Sequence, residues 1–235
     1  MMYVPQSSRQ ACPDEQVFYS LISKDPVLSH FLETGNMQTN AHFTANKLYK
    51  DPDFLHFIAP FYEQAFTAAI IQCFNTGNTG MMSDITGNPI LLDDGYQEKS
   101  YCTILDYLQE KQQKLLSIWN DLQLKNKIDT TELKNLASPT SISLLNYLPD
   151  EFEGFRSEYC NELVKLTRLL VRTDYDMAHE LIINTLELHC LPQSRQRATI
   201  CFQELQNIEE HAKPTGINQR PTFILLRLIA AMSKK

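Results

Sequence analysis

The sequence predicts an all-α protein, an irregular bundle of about nine helices. Three observations lead there. Glycine is scarce, at 7 of 235 residues, while leucine, glutamine, glutamate and lysine are common, a mixture that favours helix over sheet. Apolar residues recur three and four positions apart in long stretches such as 53–75 and 98–126, as expected of helices with buried faces. Proline then punctuates these stretches, often directly after an N-cap residue.

The first two helices are expected at about 14–23 and 26–34, the second ended by Gly35. Asp25-Pro26 and Asp51-Pro52 each put a side-chain acceptor before a proline at the first helical position. The likeness runs further, from Lys24 to Phe31 and from Lys50 to Phe57. Matches of this length arise by chance in a chain of this size, so we read one helix-start solution used twice rather than a repeat. A third helix is expected over 39–50. The segment 53–75 is apolar over most of its circumference: Phe54, Phe57, Ile58, Phe61, Tyr62, Ala65, Phe66, Ala69, Ile70 and Cys73 leave only a narrow polar strip. Such a helix belongs in a core, and Pro60 is expected to kink or split it.

Residues 75–100 change character and hold four of the seven glycines. They read as a non-helical insert, longer than an ordinary connection. Its two apolar runs, separated by a Gly-Asn-Pro turn, can make a small β-hairpin. The next helix, about 98–126, carries the stripe Tyr101, Ile104, Leu105, Leu108, Leu115, Ile118, Trp119 and Leu122. A connector follows over 127–140, with a capping box in Asp129-Thr130-Thr131-Glu132, then a short helix at 141–148. Four helices with short links close the chain, at about 155–173, 174–190, 193–212 and 220–233, which predicts an antiparallel array.

The expected organisation is an acidic helical subdomain over 1–126 with the insert at 75–100, a connector over 127–150, and the four-helix array over 151–235, packed together or apart. Residues 1–150 carry 10 basic and 17 acidic side chains, and residues 151–235 carry 11 of each. The net charge of −7 therefore belongs to the N-terminal part. An acidic chain repels phosphate backbones, so nucleic acid is not an expected partner. The six cysteines show no Cys-x-x-Cys spacing and mostly sit in apolar runs, so reduced core thiols and a cytoplasmic location are expected. Residues 1–13 lack the basic and apolar regions of a signal peptide. No run of about 18 uninterrupted apolar residues predicts a spanning helix. The helix at 220–233, with Arg220, Arg227 and Lys234 seven apart, could touch a membrane surface or a partner's groove, although cations near a helix C-terminus need no partner.

Searches for chemistry give little. Asp53 with His56 and Asp176 with His179 form Asp-x-x-His pairs that share a helix face, as ligands do in helical metalloproteins. Yet about three acidic neighbours at helical spacing are expected by chance for six histidines, and three occur: Glu33, Asp53 and Asp176. Helices favour acids in their first turn in any case. Neither a nucleophile elbow nor a phosphate loop is present. His189 and Cys190 are adjacent, and neighbours on a helix point apart. No metal and no cofactor is expected.

These absences favour a non-enzymatic adaptor, an accessory subunit of a larger cytoplasmic protein assembly. In composition the chain resembles bacterial secretion adaptors and chaperones, though no motif names a family. The expected partner-binding residues are Met81, Met82, Ile85, Ile90, Leu91 and Leu92 of the insert, where methionine and aliphatics stand beside glycine and acid. The alternative is a helical metal- or cofactor-binding enzyme using Asp53/His56 and Asp176/His179, joined by Glu63, Glu180 or Glu187. A further alternative is a secreted bacterial effector.

Overall fold

The computed structural model describes residues 13–37, 47–88 and 90–212. Every regular element among them is helical. They divide into two compact units, 1–108 and 109–235, with the division inside one long helix. The expected connector at 127–150 lies downstream of it.

In the first unit, α1 spans Pro13–Lys24 and α2 Pro26–Thr34. A 3-10 turn covers Lys47–Lys50, α3 Pro52–Thr76 and α4 Thr79–Thr86. The helix α5, Asp94–Gln123, begins here and continues into the second unit. Most of the helix expected at 39–50 lies outside the described residues. Both Asp-Pro starts behave as read. Asp25 accepts from the N–H groups of Val27 and Leu28 at 3.0 and 3.1 Å, and Asp51 from those of Asp53 and Phe54 at 3.0 and 3.4 Å. They differ in one respect: Asp25 also accepts a hydrogen bond from the buried Tyr49 hydroxyl. Asp51→Ala is therefore expected to cost about 1 kcal/mol, the ordinary value of a cap, and Asp25→Ala about 2 kcal/mol, because Tyr49 also loses its acceptor. Urea unfolding of the two variants, side by side, checks the order.

The helix α3 is the core of this unit. Phe54, Ile58, Ala59, Tyr62, Phe66, Ala69, Ile70 and Cys73 are all buried along it. It runs unbroken through Pro60, so the expected split does not occur. Among the described residues it alone is long and apolar enough to cross a membrane, and half of its most apolar window is buried within the protein. Its two polar anchors face α5: buried Glu63 pairs with Lys99 at 2.8 Å, and Thr67 Oγ1 lies 2.7 Å from Ser100 Oγ. Gly35 ends α2 with φ +69°, and a Cβ there would stand 3.1 Å from Ala69 Cβ. Both the left-handed turn and the close approach to α3 require glycine.

The expected β-hairpin is absent: 79–86 is helical, and α5 starts at Asp94 rather than near 98. The glycines and asparagine mark helix ends instead of a hairpin turn. Gly77 caps α3 in the left-handed region, with φ +69°. Asn78 then opens α4 by accepting from the Met81 N–H at 2.9 Å. Asp93 opens α5 by accepting from the Tyr96 N–H at 3.0 Å.

In the second unit the rest of α5 leads to α6 (Thr130–Leu136), α7 (Pro139–Tyr147) and a 3-10 turn at Asp150–Phe152. The predicted connector thus contains a helix, capped by Asp129 through the N–H groups of Thr131 and Glu132. Next come α8 (Glu153–Leu170), α9 (Tyr175–Leu186) and α10 (Pro192–Ala212), which pack on one another. The fourth member of the expected array, 220–233, lies outside the described residues. Leu163, Leu166, Ala178, Ile182, Ala198 and Leu205 fill the space between the three helices. Polar clamps fasten the shorter helices to them. Tyr159 donates to the Leu136 carbonyl at 2.9 Å, Asn184 to Ala137 at 3.0 Å, and Asn146 to Glu187 at 2.8 Å.

Candidate functional site

Of the six residues expected to bind a partner, four lie in the core of the first unit and two are half-buried. Met82, Ile85, Leu91 and Leu92 are buried, at 0, 0, 1 and 7% exposure. Met81 and Ile90 are half-buried, and the Met81 methyl lies near Gly35 at the end of α2. The cause is the helix that replaces the expected loop. Residues 82 and 85, three apart on α4, fall on its inner face against α3.

The two Asp-x-x-His pairs lie in different units. His56 is exposed, and its Nδ1 stands 3.0 Å from Asp93 Oδ2. The Asp93 carboxyl sits below the usual aspartate range, chiefly through the Tyr96 N–H, with burial opposing and the His56 hydrogen bond and charge assisting. A carboxylate whose folded pKa is depressed adds stability above its unfolded value and loses it as pH falls through the folded one. Asp93→Asn is accordingly expected to show a small stability deficit at neutral pH that disappears in acid. Urea titrations at a series of pH values check this. Of the supplementary acids, Glu63 is held by Lys99, and Glu180 lies 3.8 Å from Lys134. Among the described residues no three histidines, cysteines or acids come together in a way that could hold a metal ion.

Asp176 and His179 line an open cleft of about 500 Å³ along α9 and the end of α10, with Tyr175, Glu180, Ile183, Asn184 and Glu209. Helical spacing brings 176, 179, 180 and 183 to one side of α9. His179 stacks on Tyr175, with ring centroids 6.2 Å apart, and meets Phe202 of α10 at the same distance. Tyr175 donates its hydroxyl to the Leu205 carbonyl at 3.1 Å. Its pKa is raised, first by burial and then by Glu209 and Asp176, so the phenol stays neutral. Ile183 adds an exposed apolar edge, at 41%.

Comparison with protein-family models, curated proteins and solved structures finds no match to this chain. What the cleft can do follows from its own chemistry. Asp176, Glu180 and Glu209 line it, with Lys134 3.8 Å from Glu180, the histidine and tyrosine give it an aromatic wall, and no lining side chain is an activated nucleophile. This suits attraction of a cation better than covalent catalysis.

Sequence reading missed two features. Phe202 completes the wall around His179 from 23 positions away, beyond any helical pattern. His189 and Cys190 fall outside a helix, because α9 ends at Leu186 instead of near 190. Cys190 there lies in a link held against α8, the helix that carries Cys160. The spacing of thirty residues belongs to no metal or redox motif.

Proposed function

We propose that this protein is a non-enzymatic interaction protein, an accessory subunit of a larger cytoplasmic assembly, and that the cleft on α9 and α10 receives a basic, partly apolar segment of a protein partner. The observation that carries this reading is the convergence of Asp176, Glu180 and Glu209 around the exposed Ile183. Carboxylates at a cleft steer cationic groups toward it and discriminate against acidic ones. The apolar side chain and the ring of His179 supply area that a lysine or arginine stem can cover. In the 81–92 segment Met82, Ile85, Leu91 and Leu92 are buried in the core, which favours this cleft as the surface to test.

The test is affinity purification of the tagged chain from its native cell, compared with Asp176→Lys/Glu180→Lys, followed by mass spectrometry. The expected result is a stoichiometric protein recovered with the parent, depleted with the variant, and released as salt rises. Equal recovery with both proteins would overturn the placement at this cleft. A parent that carries no stable partner would overturn the adaptor reading itself.

A further inference from the structure

The helix α8 and the link between α9 and α10 are pinned together at one place. Arg156 donates from Nε to the His189 carbonyl at 2.6 Å, and the Leu191 N–H donates to Ser157 Oγ at 2.9 Å. Cys190 lies between those two anchors. Cys160 lies one turn beyond Arg156 on the same face of α8. Its thiol is fully buried and stands 3.7 Å from the Ser194 carbonyl oxygen, so residues 189–194 run along the turn of α8 that carries it. Cys190 is only partly covered. A half-exposed cysteine is thus held, by fixed contacts on both sides of it, against the turn of α8 that carries a buried one.

The surroundings divide the two sulfurs by charge. At Cys190 the Cys160 hydrogen bond, Arg195 and Arg156 favour the thiolate, against burial and Glu153, and the balance lowers its pKa. At Cys160 the contact with Cys190 and burial favour the neutral thiol, against Arg197, and its pKa is raised. The buried Cys73 and Cys201 differ from Cys190, since burial pushes each thiol up to about 11. A thiol of lowered pKa, within reach of solvent and on a segment pinned beside a second cysteine, is the arrangement of a redox-responsive cysteine.

We propose that Cys160 and Cys190 form a reversible dithiol–disulfide pair, in which Cys190 meets a peroxide and Cys160 resolves the product. The Cys190 thiolate attacks one peroxide oxygen and the O–O bond breaks. The leaving hydroxide takes a proton and departs as water, and Cys190 becomes a sulfenic acid. The Cys160 sulfur then attacks the sulfenic sulfur, its proton leaves with the hydroxyl as a second water, and the S–S bond forms. Two thiols are oxidised and one peroxide is reduced. A dithiol reductant reverses the change by exchange. The bond ties the link before α10 to α8.

The full chain, with Cys12→Ser and Cys102→Ser to remove other thiols, is treated with stoichiometric hydrogen peroxide, alkylated, and mapped without reduction. The expected product has lost two hydrogen masses, contains one linked peptide joining Cys160 to Cys190, and returns to the dithiol with dithiothreitol. Cys190→Ser slows peroxide consumption on the order of tenfold or more. Cys160→Ala leaves a sulfenate on Cys190 that dimedone traps; should that buried substitution prevent folding, the linked peptide of the parent decides alone. Cys190 oxidised in the parent without linkage to Cys160, or reacting no faster than Cys73 and Cys201, overturns the proposal.

Discussion

Replacing Arg156 by methionine is expected to lower the stability of the second unit by about 3–5 kcal/mol, through the carbonyls left without a donor. The guanidinium is 3% exposed. It serves three carbonyls, those of His189 at 2.6 Å, Leu148 at 2.9 Å and Pro149 at 3.0 Å. Its nearest carboxylate, Asp150, is 3.9 Å away and fully exposed, so the ion pair adds little. Burial lowers the pKa of the guanidinium, a penalty the carbonyl bonds offset. Methionine fills much of the volume but leaves three backbone acceptors without their donor. Arg156→Lys recovers only part of the loss, because one ammonium cannot span the fork's three directions. Trp119, the single tryptophan, lies in this unit, so its fluorescence in urea reads the transition directly. A methionine variant within 1 kcal/mol of the parent would refute the clamp.

The second large effect belongs to the first unit. Phe54→Ala is expected to cost about 3–5 kcal/mol. The ring is fully buried at the start of α3. It meets Phe18 of α1 edge-on at 5.5 Å and Tyr49 of the 3-10 turn at 5.7 Å. Deleting it opens a cavity where three elements converge, and the cost exceeds that of the nearby caps. Hydrogen exchange read by mass spectrometry locates the effect: peptides of 13–34 and 47–76 are expected to lose protection first.

These two residues show what a sequence can disclose. Phe54 was legible as core, because its neighbours repeat at three and four positions on an apolar helix. Arg156 was not, because the carbonyls it holds belong to other segments, one of them 33 residues away. The same division explains the errors. Gly87-Asn88 reads alike as a hairpin turn or as the end of a helix. The choice depends on whether Met82 and Ile85 find a surface to cover, and α3 provides it. Met81 to Leu92 carried the composition of a docking segment, but burial is a property of what packs against them. Asp176 and His179 were singled out on spacing, and they do share a cleft; the aromatic wall that occupies His179 needed Phe202 from another helix.

The sequence by itself determined the helical class, the two Asp-Pro starts, the Asp129 cap and the burial of Ile104, Leu108, Leu115 and Ile118 on α5. Those features rest on interactions among residues a few positions apart, which the chain order already brings together. Only the tertiary structure decided that the 79–86 stretch is a core helix, that three carboxylates line one cleft with Ile183, and that the link carrying Cys190 packs on the turn of α8 that carries Cys160. Each of these is a contact between segments whose separation along the chain carries no period, so only the packing of whole helices brings them together.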